Sequence, residues 1–95
     1  MFKKMRGCSL SYKRQVLIRA VCINYDLMPE DIKCRINSLC LIAAGNDFHA
    51  LFRVLTTTES IRKIAIDMNL SETQLYRYRH EFYERFFGKE EKHSE

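Results

Sequence analysis

Glycine and proline are scarce in this chain, which has three Gly and one Pro among its 95 residues. This scarcity limits the possible fold classes more than any other feature of the sequence. A fold of short strands joined by tight turns needs Gly or Pro at many positions. Apolar residues recur instead at the spacing of helix faces. The sequence therefore predicts an all-α fold of about five helices in one domain.

The first two predicted helices form an N-terminal hairpin. The first covers about residues 11–25, and Ser9 or Ser11 is expected to be its N-cap. The second begins near Pro29, which suits the first position of a helix, and it stops at Gly45.

Three shorter helices are predicted in the C-terminal half. The third follows Asn46 or Asp47 as its cap, and the fifth covers about residues 72–87 and ends before Gly88. The fourth carries Ile61, Ile64, Ala65 and Met68 after a cap at Thr56, Thr58 or Ser60, and Thr56–Glu59 has the spacing of a capping box.

The stretch "MNLSETQLYRYR", residues 68–79, predicts a sharp turn between the last two helices. Asn69 is among the few non-glycine residue types that tolerate a left-handed backbone. Ser71 and Gln74 have the spacing of a capping box, and the small Ala65 would let the two helices cross closely. Two helices joined in this way form either a plain helical hairpin or a DNA-reading helix-turn-helix, and the spacing favours the second.

Residues 50–86 resemble the helix-turn-helix of LuxR-type (GerE-like) bacterial transcription regulators. The match runs without a gap through an apolar helix at 51–55, "IA" at 64–65 and "LSE" at 70–72, and the last helix closes with an "IxxKL"-like pattern at Phe82, Arg85 and Phe86. Thr58 stands where the family usually has Gly, and "SIRK" replaces the family's "SxxE". Domains of this family often dimerise through a further helix that follows the recognition helix, and no such helix is expected here. The resemblance implies a bacterial or phage DNA-binding transcription regulator.

If the fifth helix enters a major groove, the outward residues near its start meet base edges and the start of the fourth helix meets phosphates. An arginine on such a face is otherwise a solubilising charge, and the N-terminal "FKKMR" is either a phosphate-binding arm or a frayed end. The expected base contacts are Thr73, Gln74, Tyr76, Arg77 and His80, and the expected phosphate contacts are Arg62, Lys63, Ser71, Lys3, Lys4 and Arg6.

The first helix is apolar on nearly all sides, which predicts that a second subunit covers part of it. The expected homodimer contacts are Leu17, Ile18, Val21, Cys22 and Tyr25. The predicted organisation is thus a basic arm (1–10), a helical hairpin (11–45), a helix-turn-helix unit (46–88) and a flexible tail (89–95).

Charge and cysteine content limit the other classes of function. The net charge of +4 and pI near 9.0 suit an anionic partner. Four cysteines form no CxxC pair and no Cys/His spacing typical of zinc, so we expect reduced thiols, no metal and no cofactor. Without a nucleophile motif, a phosphate-binding glycine loop or a long apolar run, neither an enzyme nor a membrane protein is expected, and the location is expected to be cytoplasmic.

One rival hypothesis is a helical protein-interaction module or adaptor that binds a second regulatory protein without contacting DNA. Residues 46–88 favour it, because their six Lys/Arg are balanced by six Asp/Glu, whereas residues 1–45 hold eight Lys/Arg against three Asp/Glu. The recognition half is therefore not strongly basic.

Overall fold

The chain is described by a computed structural model at residue 5 and residues 8–87, and over these residues it is all-α, as predicted. The predicted basic-arm residues Lys3, Lys4 and Arg6 and the predicted tail, 89–95, lie outside the described residues. Short 3-10 turns occupy Tyr25–Leu27 and Gly45–Asp47. The helices are α1 (Tyr12–Ile23), α2 (Glu30–Ala44), α3 (Phe48–Thr56), α4 (Ile61–Met68) and α5 (Glu72–Phe86).

Serine side chains begin three of the helices. Ser11, Ser60 and Ser71 each accept a hydrogen bond from the backbone N–H three residues later, at 3.0–3.2 Å. Such bonds satisfy donors that have no partner inside the helix. Of the alternatives, Thr56 is the last residue of α3, and its hydroxyl donates to the carbonyl of Phe52 at 2.8 Å.

Two arginine side chains donate hydrogen bonds to carbonyl groups at the C-terminal ends of helices. The guanidinium of Arg19, on α1, donates to the carbonyls of Val54, Leu55 and Thr57 at 3.0–3.2 Å. That of Arg35, on α2, donates to the carbonyl of Phe86 at the end of α5. The last carbonyls of a helix lack internal partners and carry partial negative charge, so both contacts stabilise the helix ends and join distant parts of the chain.

The larger apolar core lies where α1, α2, α3 and α5 meet. A second, smaller core lies between α3, α4 and α5, and Tyr78 packs against both. Each turn of α3 contributes one buried side chain to each of the two cores. The buried residues of the larger core include Ile18, Cys22, Ile36, Leu39, Cys40, Leu51, Leu55, Phe82, Tyr83 and Phe86, and those of the smaller core are Ala50, Val54, Ile64, Ala65 and Leu75.

The predicted dimer surface on α1 is wrong for two of its residues. Ile18 and Cys22 are completely buried in the chain's own core, so they have no surface for a second subunit. Val21 packs partly against that core, and Tyr25 stacks edge-on against Phe52 with ring centres 4.9 Å apart. Of the five predicted contacts, only Leu17 is largely exposed.

Met5 and residues 8–11, which we call the N-terminal segment, pack against α1 on the side of Ile18 and Cys22, where a second subunit was predicted. Gln15 is fully buried, and its side chain accepts from the N–H of Met5 at 2.8 Å and donates to the carbonyl of Leu10 at 3.0 Å. Met5 is thereby held in the larger core. The same chain thus covers Ile18 and Cys22, while Leu17 stays exposed.

One helical run among the described residues, Glu30–Thr56, has the length and apolar composition that would allow it to cross a membrane. The sequence predicted no such segment because no apolar run approaches the roughly 18 residues needed to span a bilayer. The run consists of α2, the turn at Gly45–Asp47 and α3, and it supplies much of the apolar core. Core helices of small bundles meet the same criteria of length and composition.

Candidate nucleic-acid interface

The turn between α4 and α5 has the predicted left-handed residue. Asn69 adopts φ 59° and ψ 46°, and it is the only non-glycine residue with positive φ in the described part of the chain. The N–H of Leu70 donates to the carbonyl of Ala65 at 2.9 Å, and that of Asn69 to the carbonyl of Ile66 at 3.3 Å. These bonds satisfy the last carbonyls of α4 and reverse the chain within three residues.

The start of α5 is the predicted capping box. Ser71 accepts from the N–H of Gln74 at 3.0 Å, and the Gln74 side-chain oxygen accepts from the N–H of Ser71 at 3.2 Å. Bidentate reading of adenine needs both the oxygen and the nitrogen of a glutamine amide. Because that oxygen is engaged at the helix start, Gln74 would have to leave the capping box to read a base, and its predicted role loses support.

The first two turns of α5 leave three of the predicted base contacts exposed. Thr73, Tyr76 and Arg77 all point to solvent, and 48% of the Tyr76 surface is accessible. Among the described residues, none forms a hydrogen bond or ion pair with the Arg77 side chain. The exposed acid Glu72 lies on the same part of the helix and would oppose phosphate. A free face therefore exists at the end of α5 nearest the turn.

Arg79 borders this face and was not among the predicted contacts. No ion pair between Arg79 and Glu72 or Glu84 is seen among the described residues. Instead the guanidinium carbon lies 5.3 Å from the centre of the Tyr76 ring, and the buried Nε has no hydrogen-bond partner. Burial lowers the pKa of Arg79, and the charge of Arg19 nearby acts in the same direction. An anion at this position would compensate both effects.

His80 belongs to a different environment from Thr73 and Arg77. Its Nε2 lies 3.6 Å from the Glu84 carboxylate, beside the segment that precedes α1. The Ser9 hydroxyl and N–H both donate to Glu84, at 2.6 and 2.7 Å. Since the N-terminal segment crosses α5 at this level, His80 faces that segment, and its predicted role in reading a base loses support.

Lys63, a predicted phosphate contact, is part of a charge network. Its ammonium lies 3.1 Å from Asp67 and 3.6 Å from Glu59, and Arg53 of α3 contacts the same two carboxylates at 2.8 and 2.5 Å. Hydrogen bonds from Arg53 hold the pKa values of Glu59 and Asp67 below their ordinary range. We call Arg53, Glu59, Lys63 and Asp67 the α3–α4 charge network. Because its formal charges sum to zero, it adds little attraction for phosphate.

The remaining predicted phosphate contacts differ in availability. Arg62 is exposed at the first turn of α4. The Ser71 hydroxyl is occupied as the cap of α5, so only the N–H groups of the first turn could approach an anion there. Of the predicted phosphate contacts among the described residues, Arg62 is thus the exposed cation outside the α3–α4 charge network.

Two properties of α5 were not evident from the sequence. Tyr83 is buried, because the N-terminal segment and α1 cover the second side of the helix. Arg79, one turn earlier on that side, is partly buried for the same reason. A run of aromatic residues on two adjacent stripes of α5 was the only available signal.

Comparisons with models of protein families, with curated proteins and with solved structures find no match to this chain.

Proposed function

We propose that this protein is a small DNA-binding transcription regulator whose α5 lies in the major groove of a DNA duplex. The observation that carries the proposal is the exposed face of Thr73, Tyr76 and Arg77, directly after a sharp, capped turn. Helix-turn-helix proteins read bases with this part of their second helix. The residue pattern that resembles the LuxR-type regulators adds to this support. Such a regulator would act in the cytoplasm of a bacterium or of a phage-infected cell.

Each exposed side chain has a specific role in the proposal. Arg77 donates two guanidinium N–H groups to O6 and N7 of a guanine, and Thr73 contacts a thymine methyl group. Tyr76 packs beside the groove and supports the guanidinium of Arg79, which binds a phosphate together with Arg62. Arg79 suits this contact because its charge lies in a partly buried environment and its Nε has no hydrogen-bond partner among the described residues.

A titration of labelled duplex DNA tests the proposal directly. A pool of random-sequence duplexes would first be enriched for binding to the full chain, and its affinity would then be measured at about 50 and 200 mM salt. Phosphate contacts release counterions, so the affinity should fall steeply with salt. Arg62→Ala and Arg79→Ala should each reduce the slope of log K against log salt by about 1. Absence of binding at the lower salt concentration would contradict the proposal.

We also propose that the regulator acts as a homodimer, since Glu72, Glu81 and Glu84 weaken the affinity of a single α5 for phosphate. Because Ile18 and Cys22 are buried, the contact would use the apolar side chains that remain exposed on α1 and α2, Leu17, Leu41 and Ile42. Sedimentation equilibrium at micromolar concentrations should give twice the chain mass of 11.3 kDa. A strict monomer would rule out the dimer.

The adaptor hypothesis is the second candidate, and the surface of α4 favours it. Ile66 is 72% exposed, and the neighbouring α3–α4 charge network is electrically neutral. An apolar side chain of this size in such surroundings suits a protein partner better than phosphate. Substitution of Ile66 by Ser should leave DNA binding unchanged if α5 alone reads DNA. If the full chain fails to bind DNA at low salt, the adaptor becomes the leading proposal.

A further inference from the structure

Three side chains with metal-binding chemistry meet where the N-terminal segment crosses α5. They are Cys8, His80 and Glu84, and their ligand atoms all lie within 4.8 Å of one another. His80 and Glu84 are four residues apart on α5, which places them on one face of the helix. Cys8 comes from the other end of the chain, so spacing along the sequence could not reveal the cluster.

The carboxylate of Glu84 is held in position by the backbone and side chain of Ser9. The Ser9 hydroxyl donates to Oε1 at 2.6 Å, and the Ser9 N–H donates to Oε2 at 2.7 Å. These bonds from Ser9, with a further one from the Cys8 side chain, lower the pKa of Glu84. A carboxylate has about four lone-pair sites, so each oxygen can keep its bond to Ser9 and still bind a cation. Hydrogen-bonded carboxylates of this kind are common around metal ions.

We propose that Cys8, His80 and Glu84 bind one divalent transition-metal ion, with Zn²⁺ as the best match. Thiolate, imidazole and carboxylate are the three ligand types that zinc uses in proteins. With metal–ligand bonds of about 2.0–2.3 Å, ligand atoms of a tetrahedral zinc lie roughly 3.3–3.8 Å apart. The cluster therefore needs to contract by at most about 1.5 Å from its 4.8 Å limit. The fourth position is left to water.

The other cysteines do not offer a competing site in the native fold. Cys22 and Cys40 are completely buried, and burial raises the pKa of each thiol to about 12. A metal ion needs the deprotonated thiolate, which these two thiols form least readily. Cys34 is exposed on α2 and serves as the matched control.

Metal binding would join the segment before α1 to the last long helix. It occupies His80 and Glu84, which are not required for the proposed DNA contacts of Thr73, Tyr76 and Arg77. The metal site thus does not depend on the proposed regulator function, and the two can fail separately.

A titration with Co²⁺ tests the site, because cobalt occupies zinc sites and absorbs visible light. The untagged, reduced full chain would be titrated without DNA and without chelators, and circular dichroism would confirm that each variant is folded. We expect one equivalent of Co²⁺ to give tetrahedral d–d bands and a thiolate-to-cobalt charge-transfer band. Added Zn²⁺ should remove these bands and raise Tm, because the ion binds only the folded chain.

Variants identify the ligands. Cys8→Ser should abolish the charge-transfer band, and His80→Asn and Glu84→Gln should each weaken Co²⁺ binding about 10-fold or more. Cys34→Ser should leave the bands and the affinity unchanged. A charge-transfer band that survives Cys8→Ser, a band that disappears in Cys34→Ser, or no band at one equivalent would each overturn the proposal.

Discussion

Arg77 and Arg79 lie two residues apart on α5 and have different environments. Arg77 extends into solvent, where water molecules can accept hydrogen bonds from its guanidinium N–H groups. Arg79 is partly buried beside the ring of Tyr76, and its Nε lacks a partner. Helical geometry predicted the exposure of Thr73, Tyr76 and Arg77. It could not predict the surroundings of Arg79 or His80, which depend on a segment about seventy residues earlier in the chain.

Replacement of Arg77 by Ala separates base reading from general attraction. If Arg77 contacts a guanine, the variant should bind the enriched duplex more weakly by about 1–3 kcal/mol, and its preference at one base-pair position should relax. Fluorescence titration of the enriched and the starting duplex pools measures both effects. Lys13→Ala, which removes an exposed charge from α1, should change neither value appreciably. Equal losses in the two variants would mean that Arg77 acts only through its charge.

The turn before α5 shows how local sequence determines the start and end of an element. Asn69, Ser71 and Gln74 adopt the predicted roles because their chemistry acts within three or four residues. Ser9 was considered as a cap for α1, but it bonds to Glu84 instead. Ser11 caps α1 in its place, and the partner of Ser9 lies about seventy residues away in the sequence. Local rules therefore predicted the turn, while the placement of the N-terminal segment required the folded structure.

Asn69 offers a test of the turn at φ 59°. Because the left-handed conformation costs a residue with a Cβ atom about 1–2 kcal/mol, Asn69→Ala should lower the free energy of unfolding by about 1 kcal/mol. Asn69→Gly should keep or raise it, since glycine adopts positive φ without strain. Urea denaturation of the two variants and the parent measures the difference. Indistinguishable stabilities of the Ala and Gly variants would contradict the left-handed conformation.

The α3–α4 charge network predicts a stability that depends on pH. The pKa of Asp67 is lowered in the folded state, mainly by the hydrogen bond from Arg53 and then by that from Lys63. Its contribution is therefore complete above the ordinary carboxyl pKa and is lost as pH falls below about 4. Asp67→Asn should reduce the loss of unfolding free energy between about pH 7 and pH 3, measured by urea denaturation at low salt. The control is Asp26→Asn, an exposed aspartate outside the network, and an equal effect of both variants would contradict the assignment.

At the scale of the whole molecule, the N-terminal segment determines which part of α5 is open. It covers Tyr83 and contacts Glu84 but leaves the first two turns exposed. The prediction that Ile18 and Cys22 contact a second subunit was wrong because nothing in the sequence indicated that Met5 and residues 8–10 pack against the helices. Met5 is buried among apolar groups, although it lies in a strongly polar stretch. The all-α class and the turn were predictable, whereas this cover was not.

Gln15 is the residue that holds the segment. Gln15→Leu would leave the N–H of Met5 and the carbonyl of Leu10 without their partner, and unsatisfied buried groups cost about 1–3 kcal/mol. We expect the free energy of unfolding to fall by about that amount in urea denaturation, with increased accessibility of Tyr83 in its ultraviolet absorption. Lys13→Leu, at an exposed position on the same helix, should stay within about 0.5 kcal/mol of the parent. A Gln15→Leu variant as stable as this control would show that the segment is not held by the glutamine.

α3 presents Ala50 and Val54 to the smaller core and Leu51 and Leu55 to the larger one. A fragment cut out at residue 46 would therefore lose the cover of one whole side of α3, together with that of Phe82. Many regulators with separate domains can be shortened to an isolated DNA-binding domain, which can then be fused to other proteins. This chain offers no such cut, so any fusion or truncation made to study its activity must retain the first two helices.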